Sequence, residues 1–158
     1  MKKHLFLSVV IGILICRANS AISKNFINYT VSSITVIQAR NQDTIKYLQD
    51  NIISHKEKFQ HKELNVMLKE LHLDVKSYLA IRGSKPGGPS KGIILFFEDS
   101  KVKSKKLHNL IPVPSLNIYF ENEIPWDEAW KFRFKSKRTW LEGEKEFYGK
   151  MLVKDITE

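Results

Sequence analysis

Between residues 126 and 140 the sequence sets large aromatic side chains among cations. Trp126, Trp130, Phe132, Phe134 and Trp140 are interleaved with Lys131, Arg133, Lys135, Lys137 and Arg138. Aromatic faces stack on sugars or bases, and neighbouring cations hold anions. The segment is therefore a candidate binding surface for an anionic or sugar polymer. Lys101, Lys103, Lys105 and Lys106 form a second basic cluster and join it as candidate binding residues. A plainer role competes with this one, because a small domain needs its large side chains inside. Trp126 and Trp130 lie four apart, on one face of a helix, with the small Ala129 beside them. One or both tryptophans are therefore expected to be mainly buried, covering the apolar run Ile93 to Phe97.

Other chemistries find less support. Residues 82–92 (RGSKPGGPSKG) place Gly83 and Gly88 at P-loop spacing. A P-loop follows its strand and continues into Lys-Ser/Thr and a helix, whereas here Pro89-Ser90 and a strand follow. A flexible hairpin loop is expected, and no nucleotide. His55, His61, His72 and His108 include no His-x3-His pair and no HExxH, so no metal site is expected. No Gly-x-Ser-x-Gly elbow surrounds any serine, and Ser90 meets a histidine only if the fold brings them together. Asp127 and Glu128 read as favourable charge at a helix start, and Glu142, Glu144 and Glu146 as a solvated face. No catalytic residue and no cofactor is assigned.

The amino terminus reads as a cleavable secretory signal peptide at residues 1–20. Lys2 and Lys3 precede the apolar run Leu5 to Ile15, and Ala18-Asn19-Ser20 supplies small residues at the −3 and −1 positions. The run is about half the ~20 residues of a spanning helix. The remaining residues, 21–158, are expected to form a single α+β domain, exported to the periplasm or secreted. The only cysteine, Cys16, leaves with the signal, which excludes disulfides, thiolate catalysis and cysteine-bound zinc from the mature chain. Loss of Lys2, Lys3 and Arg17 leaves 23 basic against 17 acidic residues, a charge of +6 that favours anionic partners.

The elements that must position these residues follow from periodicity. Residues 26–37 fit a strand by composition, or the start of a helix. Ile45, Leu48, Ile52, His55 and Phe59 form one helical stripe, with Asn41 or Asp43 as its cap. Leu64, Met67, Leu68 and Leu71 form a second stripe, about 140° out of phase with the first. Alternation from Val75 to Ile81 predicts a strand, the run Ile93–Phe97 a central strand covered on both faces, and Leu116 to Phe120 a third. Residues 99–109 read as a lysine-rich connection. Pro125 with Asp127 and Glu128 marks a helix start. Lys131–Lys135 alternates as a short strand would. Thr139-x-x-Glu142 has capping-box form ahead of a helical stripe through Trp140, Phe147, Tyr148, Met151 and Leu152.

The fold expected is α+β: an antiparallel sheet of three to five strands in a β-meander, packed by two N-terminal and one or two C-terminal helices. No motif is specific enough to place the chain in a family. Three functions follow. The first is a non-enzymatic accessory or inhibitor-like partner of another exported protein. The second is a module binding an anionic or sugar polymer through residues 126–140. The third is a small hydrolase whose site assembles only in space. Nucleic acid is not expected as a partner, and membrane contact only through an uncleaved signal segment.

Overall fold

The computed structural model describes residues 42–83 and 87–158, apart from the side chains of Arg133 and Phe134. The expected signal peptide at residues 1–20, residues 26–37, the expected cap Asn41 and the centre of the glycine-rich loop lie outside the described residues. Asn41–Glu158 forms one compact unit.

A helix over residues 42–51 (α1) leads into a 3-10 turn, Ile53–Lys58, and a helix α2, Leu64–Glu70. Asp43 falls inside α1 rather than at its cap. The first stripe is not one unbroken helix. It changes to 3-10 winding after Ile52, and His55 leaves helical geometry (φ −126°, ψ 23°) and is exposed. Leu48, Ile52, Phe59, Leu64, Met67 and Leu71 are all buried, as the two stripes predict. The change of phase between them occurs where His61 takes a left-handed conformation (φ 62°).

Four antiparallel strands follow in spatial order: β1 (Ser77–Arg82), β2 (Ser90–Phe96), β3 (Ser115–Ile124) and β4 (Val153–Thr157). The α+β class and the meander are as the sequence indicates. The register joins Tyr78, Leu95 and Leu116 across one face, and Ala80, Ile93, Ile118 and Ile156 beside them. That face meets α1, α2 and a C-terminal helix in one core. The opposite face carries Leu79, Ile94, Asn117 and Tyr119, all half-buried, so β2 is covered on both sides at Gly92–Ile93 and Leu95–Phe96 and only partly at Ile94.

Several local expectations are corrected. The lysine-rich connection is a helix, α3 (Ser100–His108), which turns Lys103 and Lys106 inward. Lys131–Lys135 is not a strand but the middle of α4 (Trp126–Ser136). Over five residues, alternation and helical spacing look alike. The helical pair Phe132 and Ser136 decides it: Ser136 is buried and its Oγ donates to the Phe132 carbonyl at 2.9 Å. The helix cap lies two residues later than Thr139, at Leu141, whose N–H donates to Glu144 Oε2 at 3.1 Å and opens α5 (Glu142–Gly149); leucine has no acceptor to complete a capping box. Met151 and Leu152 leave that helix and lead into β4.

Both edge strands are partly closed. The segment 61–64 clasps β4, with His61 N donating to Val153 O (2.8 Å) and Val153 N to Lys62 O (2.9 Å). Arg138–Trp140 clasps the start of β1, with Tyr78 N donating to Arg138 O (3.0 Å) and Trp140 N to Lys76 O (3.1 Å). Covering an edge in this way removes a template for unwanted pairing.

Candidate anion-binding site

The chain between β3 and β4 builds a pocket beside β1. Helix α4 starts at Trp126, next to Arg82 at the end of β1, and its exit returns to Tyr78 near the start of β1. The helix therefore runs alongside the β1 edge. Asp127 and Glu128 in its first turn suit the positive end of the helix dipole. At its other end Lys137 (φ 51°) and Arg138 (φ 69°) are both left-handed. This conformation costs an L-residue roughly 1–2 kcal/mol. It turns the chain so that the Arg138 carbonyl accepts from Tyr78 while Arg138 itself lines the pocket.

The pocket has a volume of about 270 Å³, and its walls include Tyr78, Ala80, Arg82, Trp126, Trp130 and Arg138. Trp126 and Trp130 pack at 4.7 Å between ring centres, with planes 33° apart. Both are half-buried, while Ala129 between them is closed off at 2% exposure. The expectation of mainly buried tryptophans on this face therefore holds, although neither indole is closed off in the core. Ala129 makes the core contact, and the two indoles form a wall. The guanidinium of Arg82 lies 4.9 Å from the Trp126 ring centre, in cation–π position. Among the described residues, neither Arg82 nor Arg138 has a carboxylate within ion-pair distance. Elsewhere the basic side chains Lys46, Lys56, Lys91, Lys106 and Lys145 all reach one.

The structure divides the residues singled out by the sequence. Lys101, Lys105, Lys131, Lys135 and Lys137 are exposed. Arg133 belongs to α4, with its side chain outside the described residues. Arg138 enters the pocket. Lys103 and Lys106 do not form a surface with their neighbours, because they are 8% and 6% exposed. Lys106 forms an ion pair with Glu98, and Lys103 Nζ donates to Ser77 Oγ at 3.1 Å and sits 3.8 Å from the Phe96 ring centre. Burial lowers the Lys103 pKa, and the charge of Arg138 lowers it further. Arg82 is the pocket residue that sequence reasoning missed. It closes β1 at a break in the β1–β2 register, so no spacing in the sequence marked it.

Trp140 belongs elsewhere, packed on Tyr78 (5.7 Å) and Tyr148 (6.0 Å) against the core. Tyr148 is fully buried; burial first, then Tyr78 and Glu144, hold its hydroxyl well above the ordinary tyrosine range. Ser90 Oγ lies 2.8 Å from the Gly92 carbonyl and 3.1 Å from that of Ile81, within the hairpin backbone. His61 pairs with Glu121 at 2.6 Å on the surface, so it and Ser90 are engaged separately. Among the described residues no three His, Cys, Asp or Glu side chains gather as metal ligands.

No protein-family model, curated protein or solved structure matches this chain. The chemistry of the pocket alone carries the functional reading.

Proposed function

We propose that this chain is an exported, non-enzymatic binding protein whose pocket between β1 and α4 holds an anionic ligand. An acidic sugar polymer is the ligand class that uses every wall. Indole faces stack on pyranose rings, and guanidinium groups pair with carboxylates or sulfates through two parallel hydrogen bonds. The carrying observation is that Arg82 and Arg138 line one cavity with a tryptophan pair and, among the described residues, without a carboxylate partner. The exposed Lys131, Lys135 and Lys137 extend positive charge along the same helix and its exit. Export rests on the charge, apolar run and small residues of positions 1–20.

The test is a titration with a polyuronate oligosaccharide and with its methyl-esterified, neutral form, read by tryptophan fluorescence. The acidic form is expected to shift the emission and to bind at least tenfold more tightly than the ester. Arg82→Gln and Arg138→Gln should each remove most of that preference. Equal binding of both forms, or binding that survives both substitutions, would overturn the reading.

A second reading, an accessory or inhibitor-like partner of another exported protein, has its own support. Beyond Tyr78 no other segment pairs with the outer edge of β1 among the described residues. An extended segment of a partner could hydrogen-bond there and direct a side chain to the tryptophans.

A further inference from the structure

Helix α3 ends on an unusual residue. Ile111 N donates to Lys106 O at 2.9 Å and Leu110 N to Leu107 O at 3.2 Å, the paired bonds of a Schellman motif. The position that must be left-handed in that motif is ordinarily glycine or asparagine. Here it is Leu110, with φ 55° and 92% exposure. Leu107, one turn back, is 58% exposed. The fold thus holds a large apolar side chain in a strained conformation with almost no packing in return. Strain at such a place points to a function outside the folding of the chain itself.

The surroundings are one-sided in charge. No acidic residue occurs between Asp99 and Glu121, while Lys101, Lys105 and His108 are exposed on α3. The inward lysines of the helix are held by the sheet side, Lys106 by Glu98 and Lys103 by Ser77. Exposed leucines at a turn flanked by unopposed cations match what an anionic bilayer surface receives: apolar side chains in the headgroup layer and lysines against the phosphates. Among the described residues no helix is long and apolar enough to cross a membrane, so the contact is with the surface.

We propose that the C-terminal end of α3 docks on an anionic lipid surface, with Leu107 and Leu110 entering the headgroup layer and Lys101 and Lys105 against it. This is independent of the pocket beside β1.

The test is hydrogen exchange of the full chain with phosphatidylcholine vesicles, alone or carrying phosphatidylglycerol. Peptides covering α3 and its turn should gain protection with the anionic vesicles only. Because the readout is local, an apolar amino-terminal segment does not confuse it. Leu110→Gly suits the left-handed position, so the fold should be kept or strengthened. It should nevertheless lower vesicle affinity about tenfold, the scale of one large apolar side chain. Lys101→Gln with Lys105→Gln should weaken binding by about fivefold per charge and reduce its salt dependence. Unchanged exchange in α3 on adding anionic vesicles, or equal protection in wild type and Leu110→Gly, would overturn the proposal. So would protection by an acidic polypeptide with none by vesicles, which would point to a protein face instead.

Discussion

Arg82 closes β1 and Trp126 opens α4, and the guanidinium of the first lies 4.9 Å from the ring centre of the second. Both residues line a pocket in which, among the described residues, no acid balances the charge, so the contact orients Arg82 without neutralising it. A cation–π contact at an exposed site contributes roughly 0.5–1 kcal/mol. Arg82→Gln should therefore cost less than about 1 kcal/mol. Trp126→Ala should cost more, since Trp126 also packs on Trp130, but less than the ~3–5 kcal/mol of a tryptophan closed in a core. Urea unfolding of the two variants checks the order. A loss of core size for Arg82→Gln would make the arginine structural and weaken the binding reading.

The parts of the fold that were legible in the sequence are those with apolar periodicity. Leu64, Met67 and Leu71 announce α2, and Ile93 and Leu95 announce β2, because their burial is what forms the element. Helix α3 was illegible because its inward side chains are Lys103 and Lys106, which a pattern of apolar residues cannot register. Strand β4 was hidden because Met151 and Leu152 continue the spacing of Phe147 and Tyr148, although the helix ends at Gly149. At the site, the tryptophans and Arg138 could be read from their spacing. Arg82 could not, since its approach to Trp126 is set by where the end of β1 meets the start of α4.

Gly92 marks a close approach of two strands at a break in the β2–β3 register. A side-chain carbon there would stand 2.0 Å from the Ile118 carbonyl oxygen, which belongs to backbone and cannot swing aside. Gly92→Ala should destabilise the protein by about 3 kcal/mol, at the upper end of overpacking costs. At Gly149 the corresponding clash is with the Asn65 amide, a side chain that can rotate. Gly149→Ala should therefore cost clearly less, even though both glycines are buried. Thermal unfolding of the pair tests this, and equal losses would contradict the distinction between backbone and side-chain neighbours.

Asp155 ties β4 to the 3-10 turn through Lys56 at 2.7 Å. The hydrogen bond from Lys56 outweighs burial and holds the carboxyl pKa below its ordinary 3.8. A carboxylate lowered on folding contributes stability that is fully present above its unfolded value and is lost as pH falls through the folded one. The pair is partly exposed, so its contribution is small and screened by salt. Asp155→Asn should destabilise slightly at neutral pH and converge with wild type as the pH drops below 3.8. Urea midpoints of both proteins from pH 7 downward test it. A gap that persists unchanged into strong acid would show that the aspartate acts through something other than its charge.

Lys103 presents the opposite sign. It reaches inward from α3 at 8% exposure, with Ser77 Oγ at 3.1 Å and the Phe96 ring centre at 3.8 Å, and no carboxylate of the described residues pairs with it. Burial, and then the charge of Arg138, lower its pKa below the ordinary 10.5. Between the two values the unfolded chain binds more protons than the folded one, so this group makes stability rise with pH across that window. At neutral pH the folded state carries the full cost of the buried charge. The cost is relieved as pH climbs from the folded value towards 10.5. Lys103→Met keeps much of the apolar stem against Phe96 and removes the charge, at the loss of one hydrogen bond to Ser77. Replacing a buried ion by a packed apolar side chain is often neutral or stabilising. The variant should therefore match or exceed wild type at pH 7, and wild type should gain on it steadily as the pH approaches 10.5. Urea midpoints of the two proteins at a series of pH values give the difference directly, since other titrating groups are common to both. A difference independent of pH would mean that Lys103 has the same pKa folded and unfolded, and that the cation–π and hydroxyl contacts fully replace its lost hydration.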